Sequence, residues 1–349
     1  MNQRNNMALV IRQANVLDVD RLLELSAQTG SGMTTMPTDR QSWVEKLEKS
    51  VADLHKTEPD KQGEIYFLVM EDKHIGKIVG CAAVYAGVGL NRPFYSYKLS
   101  TLTTSSQKLD MTIYTRILHL VNDYTGATEL GSLFLLPEYR RDGIGRFLSR
   151  SRLMLLADFK ERFNELVFAE MRGWLDEHDR SPFWEHLGRK FFGLSYQRAD
   201  FLSAVDGSQF ISDLMPKYPV YLDLLPQEAQ QVVGKANVNT EPALNILKKE
   251  GFRYTGYVDI FDAGPCVQTN IDQIKTINES QRVTLAQLSE RESDLAGEPS
   301  YLISKAQLDD YRIVRAPARV LVNGGLMTSQ ETAALLDAEP GTRLRIVKV

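Results

Sequence analysis

The chain has 349 residues, 43% of them hydrophobic and 25% charged; this ordinary globular composition argues against wholesale disorder and leaves room for two domains or one enlarged one. Its net charge of −4 argues against a polyanion as main partner, because nucleic-acid binders concentrate basic charge. The two cysteines, Cys81 and Cys266, lie far apart without metal-ligand spacing, and no run reaches the ~18 apolar residues of a membrane helix, so a reducing, cytoplasmic setting is expected.

Residues 1–7 carry no apolar stretch of the kind a secretory signal needs. Residues 8–13 (A-L-V-I-R-Q) read as a strand entering a helix. Asn15 and Asp18 form a cap pair ahead of Val19, Leu22, Leu23 and Leu25 at helical spacing, and the helix should stop near Gly30. After a loop (S-G-M-T-T-M-P-T-D-R), Thr38 with Gln41 predicts a second helix through Trp43, Leu47, Val51 and Leu54. Glu64–Glu71 and Lys77–Tyr85, separated by a polar turn, predict a hairpin. The Gly/Ser/Thr/Tyr-rich stretch 86–110 predicts a further short strand pair around Tyr95–Leu102. Glu129–Leu136 is the next strand, followed by a loop and a helix reaching about Phe163. Leu166–Glu170 reads as a buried strand, 172–180 as a polar loop, and Pro182–Phe192 as an aromatic helix with proline near its start.

Helical pieces are expected at Ser208–Met215 and Gln227–Val233. Thr240–Gly251 has a Thr cap, an early Pro, lysines in the last turn and a terminal Gly, all signals of a helix; the strand Tyr254–Phe261 follows it. Beyond Gly264-Pro265 the pattern shifts to short strands around 312–314, 318–322 and 343–349, with one capped helix, Thr328–Leu336, in which Glu331 completes the capping box. The expected organisation is a region 7–270, with a soft internal boundary near 200, and a β-rich region 271–349.

The stretch Leu133–Arg146 (L-F-L-L-P-E-Y-R-R-D-G-I-G-R) stands out. An apolar strand breaks at Pro137, passes through paired arginines and enters a Gly-x-Gly turn that opens a helix. Unpaired N–H groups at a helix start attract anions, Gly143 and Gly145 allow close backbone approach, and Arg140, Arg141 and Arg146 add positive charge. The expectation is a phosphate cradle formed by Arg140, Arg141, Gly143, Ile144, Gly145 and Arg146; a basic turn capping a helix is the competing reading.

That loop, Arg140-Arg141-Asp142-Gly143-Ile144-Gly145, resembles the acyl-CoA loop of the GNAT acyltransferases. Ile11–Leu25 also resembles the first strand and helix of that superfamily, and Ala243–Phe252 its closing helix and strand. More narrowly, an ordered series resembles the arginine N-succinyltransferase family: M-T-T-M-P (Met33–Pro37), L-F-L-L-P-E-Y-R (Leu133–Arg140), A-E-M-R-G (Ala169–Gly173) and S-P-F-W (Ser181–Trp184), then R-A-D-F-L (Arg198–Leu202), L-M-P (Leu214–Pro216), E-G-F-R-Y (Glu250–Tyr254) and D-I-F-D-A-G-P (Asp259–Pro265). The resemblance implies an α/β fold with a mixed twisted sheet flanked by helices, single or duplicated. It implies succinyl-CoA as donor, the α-amino group of L-arginine as acceptor, and neither metal nor tightly held cofactor. It also implies association into a homo-oligomer or with a related subunit, and contact of Leu133 with succinyl-CoA. An acyltransferase for ornithine or another amine, and a non-catalytic CoA-binding partner subunit, are the alternatives.

The family's acid/base histidine falls, in V-V-G-K-A-N-V-N-T-E-P-A (Val232–Ala243), on Asn237. An amide has no pKa near neutrality and cannot take a proton. His178, in W-L-D-E-H-D, is the replacement base that chemistry suggests; His186 is expected to pack or face solvent. A cationic acceptor calls for carboxylates, and Glu170, Asp176, Glu177 and Asp179 cluster in sequence, with a solvated acidic loop as the rival reading. Glu170, Arg172 and Glu177 are the expected substrate-binding residues.

Overall fold

A computed structural model describes residues 8–30, 32–206 and 209–349. The strands are β1 Leu9–Gln13, β2 Glu64–Asp72, β3 Lys77–Ala86, β4 Ser96–Ser106, β5 Met111–Val121, β6 Thr128–Leu135, β7 Leu166–Glu170, β8 Val220–Tyr221, β9 Arg253–Val258, β10 Pro265–Asn270, β11 Gln281–Ser289, β12 Ser300–Lys305, β13 Arg312–Pro317, β14 Arg319–Val320, β15 Leu326–Ser329 and β16 Arg343–Lys348. The α-helices are α1 Val19–Ser26, α2 Arg40–His55, α3 Ile144–Asp158, α4 Pro182–His186, α5 Gly188–Phe192, α6 Tyr196–Asp206, α7 Gln209–Leu214, α8 Gln227–Val232, α9 Glu241–Lys249, α10 Lys275–Glu279 and α11 Gln330–Leu336.

One continuous mixed sheet runs β14-β15-β11-β16-β12-β13-β1-β2-β3-β6-β7-β10-β9-β4-β5-β8. The strands beyond residue 281 therefore extend the main sheet, with β13 beside β1 (Val10↔Val314). Helix α2 packs on one face of the central strands, its Trp43 edge-on to Phe67 at 5.3 Å. Helix α3 lies against the other face; a Cβ on Gly80 of β3 would come within 3.1 Å of its Leu148. Alternation along β3 thus sends Cys81, Ala83 and Tyr85 toward α2, and Gly80, Ala82 and Val84 toward α3.

Two features of β6 position the site. It runs parallel to β7, and their register holds at Thr128↔Val167 and Glu129↔Phe168 and stops there, so the strands part toward their C-terminal ends. Its register with β3 also slips: Ala83 faces Gly131 but Cys81 faces Phe134, so Ser132 and Leu133 together oppose Ala82. Ser132 takes a left-handed φ of 49°, uncommon for a non-glycine residue. A bulge of this kind turns a backbone N–H out of the ladder.

The capping pair at Asn15 forms as the sequence predicts: its side chain accepts from Leu17 N, and Asp18 reaches back to Asn15 N at 2.9 Å. Other expectations need correcting. Asp39, not Thr38, caps α2 through Ser42 N. The expected short pair near 95–102 is a long hairpin, β4 joined to β5 from Ser96↔Val121 to Ser106↔Met111. The helix after Gly145 ends at Asp158 rather than Phe163. The aromatic helix divides into α4 and α5 at Leu187, and Gly188 is required because a Cβ would sit 2.1 Å from the Trp184 ring. Helix α6 is not anticipated by the sequence reading, and Ser208 of the expected 208–215 helix lies outside the described residues. Thr240 Oγ1 donates to the carbonyls of Arg172 and Asn237 instead of capping α9. Ser329 caps α11 through Thr332 N, in place of Thr328 with Glu331. Among the described residues no helix is long and apolar enough to cross a membrane.

Candidate active site

A candidate anion loop follows directly from the β6–α3 connection. After Leu136, a turn over 137–139 is tied to the end of β2 by Tyr139 Oη donating to Asp72 Oδ2 at 2.9 Å. Arg140 folds back, its Nε donating to the Leu135 carbonyl at 2.9 Å and its guanidinium 5.8 Å from the Phe134 ring centroid. Asp142 and Gly143 both adopt left-handed φ, 51° and 74°, and this pair turns the chain into α3. Ile144 N returns to the Arg141 carbonyl and Phe147 N begins the helical ladder on Gly143 O; the N–H groups of Gly145 and Arg146 fall among those a helix start leaves for a ligand. Arg141 and Arg146 are exposed beside them. The loop has the form of an anion cradle.

A cation the sequence reading missed joins this loop from the C-terminal strands. Arg315 on β13, half-buried, donates from Nη1 to the Asp142 carbonyl at 2.7 Å and lies 3.3 Å from where a Cβ on Gly143 would stand. It holds the left-handed turn from behind. Only the tertiary pairing of β13 with β1 brings residue 315 to residue 142.

A cluster of acidic side chains is assembled from distant segments. Glu170 ends β7 just past the splay, its Oε1 3.5 Å from Cys266 Sγ on β10. Burial, reinforced by the carboxylates of Glu129 and Asp262, pushes Glu170 up to about 8. Glu129 faces Phe168 across the parallel pair, and Glu170 stands two residues beyond, so both point to one face. Burial raises Glu129 to about 7, with Lys46 and then Arg152 opposing the shift.

Asp200 on α6 accepts from Gly32 N at 3.0 Å and is pushed by burial to about 6. Gly32 has φ 86°, and a Cβ there would stand 2.9 Å from Tyr196 Oη and 3.1 Å from Arg172 Nε, so the loop after α1 lies directly on Arg172 and α6. Asp262 accepts from Gly173 N at 2.7 Å and Gly264 N at 2.8 Å; Asp259 accepts from Phe261 N and Asp262 N, each at 2.7 Å. Those two aspartates secure the D-I-F-D-A-G-P turn, whereas Glu170, Glu129 and Asp200 keep oxygens for a ligand. The result is a half-buried cluster of acidic side chains of the kind that suits an ammonium or guanidinium group.

Asn237 is half-buried at the entry to α9. Its N donates to the Arg172 carbonyl at 2.8 Å, and its Oδ1 accepts from Asn239 N at 2.9 Å. It therefore adjoins Arg172, beside this cluster. The expected acidic group 170–179 divides: Glu170 turns inward, while Asp176 closes its own loop by accepting from His178 N, Arg180 N and Arg180 Nε. Glu177 is 86% exposed and His178 65%, the two 3.6 Å apart, so both belong to a solvated loop. His186 pairs with the exposed Glu228. Glu129, Asp200 and Arg315 are site candidates that the sequence reading lacks; for the two acids the local signal is a lone acidic residue beside an apolar run, as in T-E-L and A-D-F-L, and Arg315 has none. No cluster of His, Cys, Asp and Glu able to hold a metal occurs among the described residues.

The sequence profile of the family described as arginine N-succinyltransferase beta subunit matches residues 9–276, and that of its C-terminal domain matches residues 281–348. Proteins named arginine N-succinyltransferase from Escherichia coli and Shigella flexneri are 38% identical over 341 residues, which is 98% of this chain and 98% of each relative. The solved arginine/ornithine succinyltransferase subunit AI from Pseudomonas aeruginosa has a TM-score of 0.88 at 30% identity, covering 98% of this chain and 99% of that one.

Proposed function

Because the chain belongs to the arginine N-succinyltransferase family, we propose that it transfers the succinyl group of succinyl-CoA to the α-amino group of L-arginine by direct attack in a ternary complex. The observation that carries this reading is the presence of two opposite environments along β6. A cationic loop follows the C-terminal end of β6 and acidic side chains gather where β6 and β7 part, with the bulge at Ser132–Leu133 lying along β6 between Glu129 and that loop. The CoA phosphates sit on the N–H groups of Gly145 and Arg146, with Arg140, Arg141 and Arg146 supplying charge. The thioester enters the gap between β6 and β7, where the bulge offers the Leu133 N–H to the carbonyl oxygen as negative charge develops there.

The guanidinium of the acceptor is held by carboxylates, Asp200 among them, and Arg172 receives its α-carboxylate. Its α-amine must be neutral to attack. Asn237 cannot accept the proton, and Glu170, raised to about 8 by burial, is matched to that task near neutrality. Once Glu170 has passed the ammonium proton to solvent, the amine nitrogen bonds to the thioester carbon, the carbon–sulfur bond breaks, and the second amine proton passes through Glu170 to the departing CoA thiolate. Positioning supplies much of the rate, because a thioester is already activated. Glu177 and His178, on their solvated loop, have no part in this scheme.

Release of free thiol from succinyl-CoA by the pure chain in the presence of arginine, with succinylarginine identified by mass, is the expected result; tight CoA binding without turnover would leave a non-catalytic subunit as the better reading. Ornithine is a second candidate acceptor, favoured by the description of the Pseudomonas relative as an arginine/ornithine enzyme. Running arginine, ornithine and lysine side by side ranks them. That relative is also described as a subunit, which supports association of this chain with itself or a related one. The regions 7–270 and 271–349 act together in the scheme, because Arg315 braces the loop that receives the donor.

A further inference from the structure

Directly beside the bulge lies a cation that the transfer scheme has not used. Lys46 on α2 is half-buried, with its Nζ 5.0 Å from the ring centroid of Tyr85, 5.5 Å from Phe67 and 5.9 Å from Trp43. It donates to the Thr35 carbonyl, in the M-T-T-M-P loop, and to Tyr85 Oη at 2.8 Å. Tyr85 Oη is in turn 2.6 Å from Ser132 Oγ, which donates to the Thr35 carbonyl at 3.3 Å. Among the described residues both acceptors of the ammonium are thus neutral oxygens, and Glu129 acts on it through space.

A half-enclosed ammonium is costly unless a negative group completes it, and it carries a third N–H donor. Aromatic faces offset part of that cost without neutralising the charge. Ser132 immediately precedes Leu133, so the Lys46 cluster adjoins the point where the acyl carbonyl is received. The donor's acyl chain ends in a carboxylate two methylenes beyond that carbonyl.

We propose that Lys46, with Tyr85 and Ser132, forms the subsite for the distal carboxylate of the acyl donor and thereby selects a dicarboxylic acyl-CoA over a neutral one. The proposal rests on the succinyl-transfer reading above. It also divides the cations of the site: Lys46 serves the donor and Arg172 the acceptor.

The test compares kcat/KM for succinyl-CoA and butyryl-CoA, with arginine as acceptor, in the wild-type chain and in Lys46→Met and Tyr85→Phe. The ratio of succinyl to butyryl should fall about a hundredfold in Lys46→Met, as expected when one partner of a desolvated charge pair is lost, and less in Tyr85→Phe, which removes a single hydroxyl and keeps the packing. CoA binding, followed by titration, reports whether each variant is folded. An unchanged ratio in both variants, with an active wild type, overturns the subsite and leaves the transferase reading standing. So does a variant that loses its preference for arginine over agmatine, which lacks the α-carboxylate, while keeping its donor preference. A wild-type chain that turns over neither donor overturns the transferase reading itself.

Discussion

The proposed donor loop and the proposed acceptor cluster, on either side of the Ser132–Leu133 bulge along β6, are built in opposite ways. The loop is a local structure: strand, turn and helix start within about a dozen consecutive residues, exposed arginines, and backbone N–H groups freed by two left-handed residues. Its chemistry needs little burial, because phosphates bring their own strong charge to donors already in place. The cluster draws Glu129, Glu170 and Asp200 from three separate elements, and its chemistry depends on burial, which lifts carboxylates toward neutrality and leaves Glu170 at about 8. A local anion site thus depends on a few consecutive residues, whereas a buried cation site stands or falls with the packing around it.

That contrast predicts different kinds of damage. The largest effect is expected at Glu170: Glu170→Gln keeps the shape but cannot take a proton, and should lower kcat by ~10²–10⁴-fold while CoA binding holds. Next comes the loop. Gly143 stands at φ 74° with Arg315 behind it, so Gly143→Val should raise KM for succinyl-CoA by ~10–100-fold, the equivalent of ~1–3 kcal/mol of backbone strain, and leave KM for arginine alone. Arg146→Ala should weaken donor binding about tenfold, with an effect that shrinks at high salt, whereas His178→Ala should change no steady-state constant by as much as about twofold.

A further effect concerns stability. Glu170 is protonated in the fold up to about 8 but ionises near 4.5 in the unfolded chain, so its contribution to stability is lost as pH rises between those values. Glu170→Gln escapes that loss. It should therefore melt above the wild type at pH 8.5 and alongside it at pH 5; a gap that is the same at both pH values would show that the raised pKa does not govern stability.

The same contrast explains what could be read from the sequence. The β6–α3 loop, the β2–β3 hairpin, the Asn15 cap and α9 are specified by neighbours in the chain, so periodicity and turn residues reveal them. The β4–β5 hairpin is largely exposed on both faces along its outer half, so Ser100–Ser106 shows no apolar alternation to mark a strand. Helix α6 buries Tyr196 and Ala199 against the core, while Phe201 remains exposed, which leaves no clean apolar stripe. The acidic residues 170–179 drew attention because they are adjacent in sequence, yet adjacency places Asp176, Glu177 and Asp179 on a solvated loop. Glu129 and Asp200 join Glu170 only through the register of β6 with β7 and the docking of α6 on Gly32. Arg315 required the pairing of the C-terminal strands with β1.

Proton removal from the acceptor is proposed to rest on Glu170, because Asn237 stands where the family resemblance implies a histidine. The most direct test of this assignment is the pH dependence of kcat/KM for arginine in the wild type, Glu170→Gln and Asn237→His. A base must be ionised to act, so wild-type activity should rise with pH through about 8. That limb should vanish in Glu170→Gln, and the wild-type rate at neutral pH should be unchanged in Asn237→His. A Glu170→Gln profile that keeps the wild-type limb, or an Asn237→His chain that gains rate at neutral pH, would contradict the account.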